Sequence, residues 1–245
     1  MHSTSHNQGK IMRKITLNTK DCRMLAAMAK RVAPKSSSIL CRVGVCLERT
    51  PGGWLAIATN GHITAIGRLQ APDVDAIPPG FEIIIPRDAA RKLAKLKSAD
   101  LDFDDNQGPR TLRFTGGALT LDPAFTGHKF HAWRQIVPQR ISGETAQFSA
   151  HCLAAIQSCA DDAAGVKPGN YVVSRLQHNG GGCAQVTFSN LDLIGLIMPI
   201  REDKCANGAR PFWVLNDAST AASAAATAFV GAVNDAITET QTRAA

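Results

Sequence analysis

The chain has 245 residues, a net charge of +7, 44% hydrophobic and 19% charged residues. That composition excludes a disordered polar chain, and the length allows one large domain or two small ones with a true core. No apolar run approaches the roughly 20 residues that cross a bilayer, and Met1–Gly9 has no apolar stretch to act as a secretion signal, so a soluble, cytoplasmic protein without membrane association is expected.

In chain order, residues 1–9 read as a disordered tail and Ile11–Leu17 as a first strand. From Lys20 to Val32 the period becomes helical: Leu25, Met28, Ala29 and Val32 fall on one face, with Lys20, Arg23, Lys30 and Arg31 nearly opposite, and Pro34 ends the helix. Three strand-like runs follow, Ile39–Leu47, Trp54–Thr59 and His62–Leu69, separated by Pro51-Gly52-Gly53 and by Asn60-Gly61, a strong hairpin signal. After a Pro-rich loop, Phe81–Ile85 is another strand, and Arg87–Lys97 a second helix with Asp88 in its first turn. Ala89, Leu93 and Leu96 share one face of it, and Arg87, Arg91, Lys92 and Lys95 the other. Leu101–Asp105, Thr111–Thr115 and Leu119–Asp122 complete this half as three short strands.

Residues 10–126 thus hold the same unit twice, strand, helix and three strands, each helix with an apolar and a basic face. Residues 127–140 form a connector containing Phe130, Trp133 and Pro138. A third unit is expected over 141–203: a strand at Gln147–Phe148, a helix over Ala150–Ala160, and strands at Tyr171–Gln177, Ala184–Phe188 and Leu193–Met198, with Gly180-Gly181-Gly182 as a turn. This third helix has no Lys or Arg. Residues 204–245 read as a loop and an Ala-rich helix with a weak stripe of Phe229, Val233 and Ile237. The fold class expected is α+β, with helices on one face of antiparallel sheets.

Charge is uneven. Residues 1–140 carry 21 Lys/Arg and 11 Asp/Glu, a net of +10, whereas residues 141–245 carry 6 and 9, a net of −3. One half therefore suits a polyanion. The seven cysteines (22, 41, 46, 152, 159, 183 and 205) form no CxxC pair and read as reduced, mostly buried thiols, with no metal site. The sequence contains no phosphate-cradling Gly loop, Walker lysine or nucleophile elbow, and adjacent His151 and Cys152 point to different helix faces, so neither an enzyme nor a cofactor is expected.

Three segments resemble the bacterial DNA polymerase III beta sliding clamps. Leu55-Ala56-Ile57-Ala58-Thr59-Asn60-Gly61-His62 is similar to that family's Ala-Thr-Asp-Gly-His-Arg-Leu segment. Phe130-His131-Ala132-Trp133-Arg134-Gln135-Ile136-Val137-Pro138 resembles its Phe-Pro-Asp-Tyr connector ending in Ile-Pro, and Ile197-Met198-Pro199-Ile200-Arg201 its Val-Met-Pro-Met-Arg end. The three occur in the family's order across residues 11–203. Departures are Asn60 for Asp, Ile63-Thr64 for Arg-Leu, and His131-Ala132-Trp133 for Pro-Asp-Tyr. The family has three domains of two repeats; about three repeats stand here, as in a compact, phage-like relative.

The resemblance implies a DNA clamp: a ring with helices lining the hole, closed here by a homo-oligomer of as many as four chains. It would act as a processivity factor for replication or repair, with duplex DNA and a DNA polymerase or other proteins bearing clamp-binding motifs as partners. DNA contact would fall to Lys20, Arg23, Lys30, Arg31, Lys35, Arg91, Lys92 and Lys95, which on physical grounds alone either meet phosphates without reading bases or merely solubilise two helix faces. A peptide groove would involve Thr59, Gly61, His62, Pro138, Met198, Pro199 and Arg201; as plain structure, Gly61 serves its turn, Met198 the core, and His62 the surface. The rival reading is a clamp-derived adaptor or decoy that binds such peptides without encircling DNA.

Overall fold

The computed structural model describes residues 12–71, 77–104, 110–114, 117–121, 129–167, 169–201 and 204. The expected N-terminal tail and the Ala-rich helix with Phe229, Val233 and Ile237 lie outside them, as does Cys205. The helices and strands below fall within a compact unit that ends at Glu202.

The elements are β1 (Met12–Asn18), α1 (Thr19–Arg31), β2 (Gly44–Thr50), β3 (Gly53–Thr59), β4 (Ile63–Arg68), β5 (Glu82–Pro86), α2 (Arg87–Lys92), β6 (Ser98–Asp104), β7 (Arg110–Phe114), β8 (Gly117–Leu121), α3 (Ala150–Ala164), β9 (Ser174–Gln177), β10 (Ala184–Phe188) and β11 (Leu193–Ile197). α1 starts where Asn18 accepts from the backbone N–H of Lys20 and Asp21 while Asp21 accepts from that of Asn18, a capping box. The buried Asp21 also accepts from the N–H of Gln70 at 2.7 Å, which ties the helix start to the end of the β4 hairpin.

Several expected boundaries shift. The run from Ile39 begins as a 3-10 turn, Leu40–Arg42, with Ile39 and Leu40 exposed, because strand pairing begins only at Gly44 opposite Pro86. α2 tightens into a 3-10 turn at Leu93–Lys95 instead of reaching Lys97, since the chain must turn to pair Ser98 with Asn18. α3 runs four residues beyond Ala160 and stops at Gly165, whose positive φ of 69° closes the helix. Gln147–Phe148 forms no strand; the Gln147 carbonyl instead accepts from the N–H of Ile200 at 2.8 Å.

Two antiparallel sheets result, ordered β1-β6-β7-β8 and β5-β2-β3-β4-β11-β10-β9. The first two repeats exchange their first strands: β1 pairs with β6 of the second repeat, and β5 with β2 of the first. The third repeat joins through the β4–β11 pair, so one seven-stranded sheet runs through stretches expected to be separate domains.

Side chains on this sheet follow the period of two. Val45, Leu47, Ala56, Ala58, Ile63, Ala65, Ile83, Ile85, Leu193 and Ile197 face the helices, in one core with Leu25, Met28, Ala29, Val32, Leu93 and Ile156. Cys46, Ile57, Ile66, Ile84 and Leu196 face the other side, where the connector's Phe130 and Trp133 cover them. Strands buried on both faces are why these runs are nearly all apolar. Gly67 and Gly195 let helices approach the sheet: a Cβ on Gly67 would lie 2.1 Å from Met24 Sδ, and one on Gly195 2.4 Å from Ile156 Cγ1.

Candidate functional site

The apolar faces assigned to the first two helices are buried, with Leu25, Met28, Ala29 and Leu93 at 0% exposure, so their charges must point away from the sheet. α1 packs directly against α2 on one side and α3 on the other. Arg23 and Lys30 of α1, Arg91 of α2 and Asp162 of α3 line one shallow depression floored by Ala26, Ala27 and Ala94. Ala26 and Ala27 lie on the outward side of α1 yet are buried, consistent with Arg and Lys stems lying across them. Lys20 and Arg23 line a neighbouring hollow with Arg68, and Lys30, Arg31 and Lys35 a third with Arg87 and His151. Lys92 and Lys95 are exposed on α2 and its 3-10 extension. Six of the eight cations assigned to DNA thus line three hollows among the helices. Arg87, placed by periodicity on the basic face, is instead largely covered; its Nε donates to the Ala33 carbonyl at 3.1 Å and holds α2 to the end of α1.

Asp162 was not among the residues read as functional. Arg31 Nε donates to it at 2.7 Å and Lys30 Nζ lies 3.0 Å away. Burial raises the Asp162 carboxyl, but the hydrogen bonds and charges of Arg31 and Lys30 outweigh it and hold the group below the usual carboxylate range. The same hydrogen bond raises Arg31. The acid therefore offsets part of the positive field of α1 on the α3 side.

Of the residues matched to the peptide groove, Thr59, Gly61, His62, Met198 and Pro199 lie at one end of the β4–β11 pair. The Met198 N–H donates to the His62 carbonyl at 2.9 Å, and Thr64 pairs with Leu196 in the ladder. Gly61 and His62 are exposed, Met198 is 42% exposed, Pro138 and Pro199 are half-buried, and Arg201 is exposed. Thr59 is turned inward, 2% exposed: its Oγ1 donates to the Ile63 carbonyl and accepts from Gly61 N–H and Thr64 Oγ1. Asn60 closes the hairpin by accepting from the N–H groups of His62 and Ile63, each at 2.9 Å. Gly61 has both a positive φ of 93° and a close neighbour, since a Cβ there would sit 2.9 Å from Arg42 Nη1. Arg42 in turn acts on His131, whose imidazole is pushed below its usual pKa by burial and by this cation.

The connector is fixed by acids on the sheet. Glu48, 5% exposed, accepts from Trp133 Nε1 at 2.9 Å and from both terminal nitrogens of Arg134, which stacks over the Trp133 ring at 4.3 Å. Its ladder neighbour Glu82 accepts from the Phe130 N–H at 3.1 Å. The signal in the sequence was an acid inside an apolar strand and a Trp-Arg pair in a loop. Among the described residues no cluster of three or more His, Cys, Asp or Glu is placed to hold a metal ion, and no helix is long and apolar enough to cross a membrane.

No protein-family model matches the chain, and no curated protein matches it in sequence. Solved structures do match. Caulobacter crescentus pol III beta superposes with a TM-score of 0.58 at 14% identity, over 80% of this chain and 68% of that one. DNA polymerase III subunit beta from Borrelia burgdorferi gives 0.54 and 14%, over 82% and 67%. The beta subunit from Thermotoga maritima gives 0.53 and 12%, over 78% and 65%. The chain thus spans about two thirds of each. Two strand-helix-three-strand repeats and a third unit of one helix and three strands, on antiparallel sheets and matched over about four fifths of the chain, have the fold of the bacterial DNA polymerase III beta sliding clamps.

Proposed function

We propose that the chain is a sliding-clamp-like processivity factor that holds duplex DNA without reading sequence and tethers replication or repair proteins to it. The observation that supports this best is the adjacency of α1 and α2, with Arg23, Lys30 and Arg91 around one depression on the side away from the sheet. Cations spread along helix faces suit phosphate contact. The edge carrying Gly61, His62, Met198 and Pro199 suits an extended peptide, taking apolar side chains at Met198 and fixing direction at the polar rim. In this reading the protein works by binding and performs no chemistry.

A salt titration of binding to a short duplex tests it. If all eight assigned cations contact phosphates, log K falls against log salt with a slope of about −7; if Asp162 keeps Lys30 and Arg31, six remain and the slope is about −5. A slope near zero contradicts DNA contact. The adaptor reading draws its support from Asp162 and from the absence of Lys and Arg on α3. Retention separates the two: an encircling assembly stays on closed circular DNA and leaves linear DNA through its ends, whereas an adaptor is retained by neither.

A further inference from the structure

The first two repeats obey a pairing rule that leaves the third incomplete. In each of them the second strand has its outer edge covered by the first strand of the mate repeat: β5 lies along β2, and β1 along β6. The register is the same in both cases. The residue capping the helix pairs with the first residue of the mate's second strand, Pro86 with Gly44 and Asn18 with Ser98.

The third repeat is a counterpart of the first. β2, β3 and β4 are followed about 130 residues later by β9, β10 and β11, and Thr59-Asn60 returns as Ser189-Asn190. Yet among the described strands β9, the counterpart of β2, is the last of its sheet, bonded to β10 alone. Beside it stand Tyr171 at 73% and Val173 at 63% exposure, the two most exposed large hydrophobic residues described. α1 has eight buried residues, and α3, with a described helix on one side only, has four.

We propose that a second copy of this chain fills that edge, the two third repeats mating about a two-fold axis by the rule the first two repeats follow. Residues 142–148 of one copy lie along β9 and the turn that follows it in the other, Ser149 opposite Ser174 and Gln147 opposite Leu176. The segment has the strand's pattern: Leu17 and Ile15 precede the Asn18 cap by one and three residues, and Phe148 and Ala146 precede the Ser149 cap likewise. In the single chain it is folded back instead. Gly143 N–H donates to the His178 carbonyl at 3.1 Å, Gly180 N–H to the Glu144 carbonyl at 2.8 Å, Ala146 N–H to His178 Nδ1 at 3.4 Å, and Ile200 N–H to the Gln147 carbonyl at 2.8 Å. Mating exchanges these bonds for a ladder. It brings together little like charge, because α3 has no Lys or Arg, Asp161 accepts from Gln157 and from the Val172 N–H, and Asp162 is held by α1. The resulting dimer completes one more two-repeat unit. This inference rests on the fold and stands whether or not the chain binds DNA.

The test is sedimentation equilibrium of the full chain without DNA, with hydrogen exchange followed by fragment mass spectrometry. The Ser189 N–H bonds the Val173 carbonyl, so the alternation of the ladder turns the N–H groups of Ser174 and Leu176 outward. Ser174→Pro removes one outward donor and keeps the bonds to β10, and Val173→Lys sets two cations near the axis. Expected are a concentration-dependent dimer or larger even-numbered species, protection of the β9 amides that rises with concentration, and for either variant a dissociation constant at least about tenfold higher with unchanged circular dichroism. A monomer from micromolar to sub-millimolar concentration overturns the proposal. So does assembly indifferent to both variants, or β9 protection independent of concentration, the result if residues 205–245 of the same chain cover the edge.

Discussion

α1 and α3 occupy equivalent places in their repeats and have had different fates. α1 lies between two helices, buries eight residues and keeps its solvent side for Lys20, Arg23 and Lys30. α3 has a described helix only on the α1 side, buries four residues and carries no basic residue. The same topology therefore yields a cationic helix where a mate repeat is present and a net acidic one, with Asp161 and Asp162 and no Lys or Arg, where it is not. Burial follows the neighbours; charge follows what the solvent side meets.

The comparison is sharpened most by truncating each helix at its core. Leu25→Ala and Ile156→Ala both remove side chains at most 1% exposed, and large-to-small changes of this kind cost about 2–5 kcal/mol. Leu25→Ala should fall near the upper end, because helices on both sides of α1 prevent collapse, and Ile156→Ala near the lower end, because α3 can settle. Chemical denaturation measures both, and equal losses would break the distinction.

The junction between the two regions depends on Glu48, which sits on β2 and anchors the connector through Trp133 and Arg134. Glu48→Ala leaves a buried indole N–H without its acceptor and should cost about 1–3 kcal/mol, with a change in the fluorescence of Trp133. Glu48→Gln, which keeps one acceptor, should cost less.

The smallest effect belongs to the clasp between the helices. Asp162→Asn should lower stability at neutral pH by about 0.2–1 kcal/mol, the range of partly exposed ion pairs. Because the folded-state pKa of Asp162 lies below the unfolded one, the stabilisation is complete above the unfolded value of about 4 and disappears as pH falls through the folded value. The gap between wild type and Asp162→Asn, followed by denaturation against pH, should therefore close in acid. The same variant should strengthen duplex binding, since it releases Lys30 and Arg31.

Much of this was legible locally. Helical period identified Leu25, Met28, Ala29 and Val32 as core and set Arg23, Lys30 and Arg91 apart from it, and turn residues located the hairpin at Asn60-Gly61. What escaped depends on distant partners. The strand exchange between the first two repeats pairs Asn18 with Ser98, a choice no window of sequence contains. Gln147–Phe148 has strand character and joins no ladder in the single chain, where the Gln147 carbonyl accepts from the Ile200 N–H, because a strand needs an edge as well as a propensity. Asp162 lay beyond the expected end of the third helix at Ala160, and only the fold set it against Arg31, far away in the chain.

The central claim is that DNA lies against the α1–α2 surface, and matched charge reversals test it most directly. Arg23→Glu with Arg91→Glu changes the net charge by the same amount as Lys129→Glu with Arg140→Glu, exposed positions in the connector next to the opposite side of the sheet. Titrated onto one duplex at one salt concentration, the helix pair should weaken binding by more than about tenfold and the connector pair by less than about threefold. Equal losses would mean that only total charge matters, and would contradict a DNA-bearing helical face.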